Sequence, residues 1–133
     1  GERAQLAIAV QAHTTVAEDW SVHYNMKLQQ EIKIRIDSIQ KYLTELNDTP
    51  NDSVNDYHPE LYARTVIEEL ITQTHDTSEL ATDLITELEH VDEKWRSVSR
   101  SSYFHWDERL RDVYPETHYW WLYRELDMER IVK

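Results

Sequence analysis

Residues 2–47 read ERAQLAIAVQAHTTVAEDWSVHYNMKLQQEIKIRIDSIQKYLTELN, a stretch without proline or glycine. Apolar or large residues recur in it at Leu6, Val10, Ala17, Trp20, Tyr24, Leu28, Ile32, Ile36, Ile39, Leu43 and Leu46. Those three- and four-residue steps line up side chains along one side of an α-helix. At the helical rise, one unbroken helix here is about 65 Å long. Such a helix cannot bury its stripe against itself, so later segments must lie along it. The two halves differ in character. Up to Tyr24 the helix is rich in alanine and threonine, with His13 at a stripe position and Thr15 on the opposite side. From Leu28 onward it is isoleucine-rich with charged flanks at Lys33, Arg35 and Asp37, as in a coiled-coil seam.

The rest of the chain offers three further helical patterns. Asn47, Asp48, Thr49 and Pro50 stop the first helix, because proline drives the preceding residue out of the α region. Asn51–Asp56 is polar and turn-rich and reads as a loop. Pro59 suits the first turn of a second helix, with Ala63, Val66, Ile67, Leu70 and Ile71 inward and an end near His75. Asp76 to Glu79 has the spacing of a capping box. A third helix carries Leu80, Leu84, Leu88, Val91, Trp95 and Val98. The pattern breaks at Arg100–Ser102 and resumes in a new phase at Tyr103, Trp106, Leu110 and Val113. Pro115 opens a last helix expected to run to about Ile131. The expected fold class is therefore all-α: one domain over residues 1–133, a bundle of four main helices on the long N-terminal helix, with a kinked segment before the last.

Composition narrows the function. There are 133 residues, one glycine, three prolines and no cysteine. Disulfides, thiol nucleophiles and thiolate metal sites are excluded. A glycine-rich phosphate loop and a nucleophile elbow both need more glycine than is present. With 26 acidic and 14 basic residues the net charge is −12, which disfavours nucleic acid and anionic lipid and suits a basic protein partner. The longest apolar run, Leu6–Val10, is far below a membrane span of roughly 20 residues. No basic segment followed by an apolar core opens the chain, so no secretory leader is expected and the expected compartment is cytoplasmic.

Candidate chemistry is sparse. Glu87 and His90 have the Glu-x-x-His spacing of di-iron carboxylate bundles, but the pair occurs once and His90 falls away from the inner stripe. Asp19 and His23 share the outer face. No metal and no cofactor are expected. The stretch Arg100-Ser101-Ser102-Tyr103-Phe104-His105 is similar to the motif of HEPN ribonucleases, all-helical domains of about this size. The resemblance implies Arg100 and His105 as a cleaving pair acting across a dimer interface, although the polar residue after the arginine is a serine here. The aromatic content concentrates between Tyr103 and Tyr123. Aromatics of that kind suit interface hot spots, and Trp106, Tyr119, Trp120, Trp121, Tyr123, Met128 and Ile131 are the candidate interface residues. The expected function is a non-enzymatic interaction or assembly module, as a homodimer or with a basic protein partner, including an inhibitor or immunity-type protein. A ribonuclease using Arg100 and His105 and a ligand-binding regulatory bundle are the alternatives.

Overall fold

The computed structural model describes residues 2–50, 56–73 and 80–132, with the backbone alone for residues 2–22 and Val132. Helix α1 runs unbroken over Glu2–Asp48, about 70 Å at the helical rise. Helix α2 spans Tyr57–Gln73 and helix α3 spans Thr82–Ser97. A short strand β1, Ser99–Ser101, follows at once. It pairs antiparallel with strand β2, Arg124–Leu126, in the register Ser99 to Leu126, Arg100 to Glu125 and Ser101 to Arg124. Helix α4 is five residues, Met128–Val132. The chain is mostly helical, as expected, with one two-stranded ribbon among the described residues.

The second half of α1 behaves as its spacing requires. Leu28, Ile32, Ile36, Ile39, Leu43 and Leu46 are all buried, and Tyr42 joins them. Helix α2 lies antiparallel to α1: the Tyr24 hydroxyl donates to Gln73 Oε1 at 3.0 Å, at the far end of α2. Helix α3 lies alongside, its start held where the Ala81 N–H donates to Gln29 Oε1 at 2.9 Å. One turn on, Lys33 Nζ donates to Glu87 Oε2 at 2.6 Å. The α3 stripe of Leu80, Leu84, Val91, Trp95 and Val98 is buried, with Leu88 half-buried. The side chains of Leu6, Val10, His13, Thr15, Ala17 and Trp20 lie outside the described residues. So do most of the expected Asn51–Asp56 loop, the helix end near His75 and the cap at Asp76–Glu79.

Two expectations are corrected. On α2 the inner face is centred on Tyr57, Leu61, Arg64, Thr65 and Ile67, while Ala63, Leu70 and Ile71 are only partly buried. Counting apolar residues missed a buried arginine and threonine. The larger correction concerns residues 103–131. Tyr103, Leu110 and Val113 are exposed, in a loop that holds one 3-10 turn at Glu108–Leu110. The expected helix from Pro115 to Ile131 is instead a 3-10 turn at Trp120–Tyr123, then β2, then α4. The backbone of β1 supplies the competing partner. Besides the ribbon itself, the Ser102 N–H donates to the Tyr123 carbonyl at 2.7 Å and the His105 N–H to Leu122 at 3.0 Å. Strand preference depends strongly on context, and a neighbouring backbone that offers hydrogen bonds outweighs the weak intrinsic preference of Arg124-Glu125-Leu126. Asp127 then restarts a helix, its Oδ1 accepting from the Glu129 N–H at 3.1 Å.

The seam generates a direct test. Leu28→Ala should cost about 2–5 kcal/mol, because it leaves a cavity between α1 and its neighbours. Ile34→Ala, at a side chain 61% exposed, should stay within about 0.5 kcal/mol. Equal losses for the two in chemical denaturation would mean that the seam does not hold α1.

Candidate functional site

Two polar clusters and one aromatic layer gather around the end of the bundle where the chain leaves α3. The first cluster is built on Arg64, which is buried on the inner face of α2. Its guanidinium donates to both carboxylate oxygens of Asp92 on α3, Nε to Oδ1 and Nη2 to Oδ2, each at 2.9 Å. Nη1 donates to Glu68 at 3.0 Å, one turn along α2. The same guanidinium lies 4.2 Å from the ring centre of Trp121, whose indole N–H donates to Thr65 Oγ1 at 2.8 Å. Glu68 also meets His118 Nε2 at 2.9 Å. Burying a cation is expensive unless it is paired and its donors are used. The bidentate fork, the second carboxylate and the indole face meet that demand together.

The second cluster is left incomplete. The Tyr42 hydroxyl of α1 and Glu60 Oε2 of α2 are buried without a hydrogen-bond partner. Burial first, then the charges of Asp56 and Glu45, push the Glu60 carboxyl up to about 7. The position in the first turn of α2 would by itself favour the carboxylate, but desolvation wins. Burial likewise pushes the Tyr42 hydroxyl well above its ordinary value, with Tyr57, Glu60 and Asp56 adding to it.

The aromatic layer is a chain of edge-on contacts: Trp106 on Tyr114, Tyr114 on Tyr119, Tyr119 on Trp121, Trp121 on Trp120 and Trp120 on Trp95, with ring centres 5.0–5.9 Å apart. Of the seven candidate interface residues, Trp121, Tyr123 and Ile131 lie in the core of this chain. Trp106, Tyr119 and Trp120 are partly covered, and Met128 is 36% exposed. Trp120 is roofed by Arg96 at 4.1 Å. On a helix the adjacent Trp120 and Trp121 would point about 100° apart, a conflict for a single inner face. The 3-10 turn resolves the conflict by stacking Trp120 on Trp95 and seating Trp121 on Arg64.

Arg100 and His105 fall on β1 and the loop after it, not on a helix. Arg100 Nε donates to Glu125 Oε1 at 2.8 Å, its cross-strand partner, and that carboxylate holds the guanidinium above its usual range. His105 Nε2 is 3.1 Å from Ser102 Oγ, and burial lowers its basicity. Among the described residues no carboxylate hydrogen-bonds the His105 ring. Glu87 is paired with Lys33, and His90 and His23 are exposed. Among the described residues no three His, Asp or Glu gather as metal ligands, and no helix is long and apolar enough to cross a membrane. A shallow groove of about 560 Å³ runs between α1 and α3, lined by Gln29, Gln30, Lys33, Ile34, Ala81, Asp83, Leu84 and Glu87, away from the aromatics. The chain matches no family model, no curated protein and no solved structure.

The sequence reading missed Arg64, Asp92, Tyr42 and Glu60. The available signal was Arg64, three residues after Leu61 and three before Ile67, at an inward step of the helix.

Two measurements follow. Asp92→Ala should cost about 3–5 kcal/mol by stranding the Arg64 charge, whereas Arg64→Met with Asp92→Leu should cost much less. Equal losses would deny the pair its electrostatic role. Folded Glu60 holds its proton up to about pH 7, while the unfolded side chain releases it near 4.5. The folded state therefore binds more protons in that window, and stability falls as pH rises through it. Glu60→Gln should remove that fall and leave the protein more stable than the parent above pH 7. Parallel pH–stability curves for the two would show that Glu60 titrates normally.

Proposed function

We propose that the chain is a non-enzymatic assembly module that joins protein chains through the first half of α1. The observation that carries this reading is the length of α1 relative to what packs on it. Among the described residues, α2 reaches level with Tyr24 and α3 begins level with Gln29. Residues 2–23 continue as helix for about 33 Å beyond those marks. The side chains at the boundary are open, with Tyr24 53% and Met26 57% exposed. Isolated helices of this length are marginal in water and gain most of their stability from tertiary packing of an apolar face. A projecting helix that carries Leu6, Val10, Ala17 and Trp20 at helical spacing therefore calls for a protein to lie against it.

The C-terminal aromatics support the same reading less strongly, since most of them spend their surface on each other. The ribonuclease alternative draws little support from Arg100, which is occupied by Glu125, or from His105, which sits in a loop.

Hydrogen exchange on the intact chain tests the reading. Amides of residues 2–23 should be protected in an associated form and exchange fast when the protein is dilute, with residues 28–46 protected throughout. Fast exchange across residues 2–23 at every concentration, with a single-chain mass in sedimentation, would sink it.

A further inference from the structure

The projecting half of α1 also indicates what covers it. From Ala4 to Ala17 it carries no Asp, Glu, Lys or Arg, although 30% of the chain is charged and no other uncharged stretch exceeds seven residues. A strongly basic partner would find no countercharge there. Two copies of this chain, each at −12, can meet along that stretch without setting like charges face to face.

The spacing is self-complementary. Leu6, Val10, His13, Ala17, Trp20 and Tyr24 follow one another by alternating steps of four and three, the seam of a two-stranded coil. In an antiparallel pair centred on Thr15, Leu6 falls level with the partner's Tyr24, Val10 with the partner's Trp20, and His13 with the partner's Ala17. Every seam position then has a counterpart, and at each level the smaller residue meets the larger. Tyr24, the described end of this seam, is 53% exposed and so open to a second copy. Orientation follows from charge as well. A parallel pair would set the two acidic bundles side by side. The antiparallel pair separates their near ends by about 27 Å, beyond the screening length of roughly 8 Å at physiological salt.

We infer that two copies of the chain pair antiparallel through residues 6–24 of α1, with Val10 level with the partner's Trp20 and the two bundles at opposite ends. The inference rests on the reading of α1 as an assembly helix and adds to it the partner, the orientation and the register.

The test uses the full chain. Val10→Glu and Trp20→Arg should each weaken the dimer roughly tenfold or more in sedimentation. Both changes in one chain should restore it, because the new carboxylate and guanidinium fall level across the dimer. Near-ultraviolet circular dichroism should show the bundle intact in all three variants. A second measurement leaves the seam unaltered. The chain has no cysteine, so Lys27→Cys carries a single nitroxide at an exposed site. Its label-to-label distance in the dimer should be about 36 Å, against less than about 20 Å for a parallel pair. A short distance, or no rescue in the double variant when both single variants dissociate, overturns the register while leaving α1 as an assembly helix. A dimer unaffected by either single variant places association elsewhere and overturns the pairing. A monomer whose residues 2–23 become protected only when a basic protein is added overturns self-pairing and retains assembly. A monomer with fast exchange throughout removes the underlying reading too.

Discussion

A guanidinium held out of water sets the terms for the bundle. Arg64 reaches Asp92 across α2 and α3 and Glu68 along α2, and it lies under the indole of Trp121. Three chain segments are thereby tied to one charge. If any of them moves away, the cation loses a partner that it cannot replace with solvent. Hydrophobic burial between α1 and its neighbours tolerates small slips in rotation. A bidentate fork does not, and so it fixes how α2 and α3 face each other. Trp121 adds a neutral donor to Thr65, which brings the C-terminal segment to the same point.

That segment shows how a local preference can yield to a nearby partner. Ser99 is fully buried just after α3. Its carbonyl accepts from Arg124 Nη2 and Arg130 Nη1, each at 2.8 Å, and its hydroxyl accepts from Arg124 Nε at 2.8 Å. Arg124 also reaches the Arg96 carbonyl at 3.3 Å, near the end of α3. Cations near a helix C-terminus satisfy carbonyls that the helix leaves unpaired. The hydroxyl of Tyr57 donates to the Arg124 carbonyl at 2.8 Å and accepts from the Trp95 indole at 3.2 Å. With so many polar groups answered by an extended backbone at residues 124–126, a helix through the same residues would leave buried donors and acceptors unmatched.

Helix α1 joins two stretches of different character in one unbroken element. Residues 28–46 carry the densest apolar stripe and meet α2 and α3. The preceding half has little charge and smaller side chains, and the described helices that flank α1 do not extend alongside it. One continuous helix thus passes from a core-forming seam to a stretch that no other described helix flanks.

The sequence by itself determined the helices of the core. The steps from Leu28 to Leu46 and from Leu80 to Val98 are long and regular, and the proline at position 50 and the polar run before it end α1 without help from elsewhere. Periodicity is a local property, so it can be read from the chain alone. It could not reveal that Arg64 would be buried, because that depends on Asp92 and Trp121, 28 and 57 positions away. Nor could it decide between helix and strand after Pro115, where the apolar residues surround a helix almost completely and the hydrogen-bonding partner is the distant Ser99–Ser101. Those outcomes rest on pairing energies between remote groups, which exist only once the tertiary structure has brought the groups together.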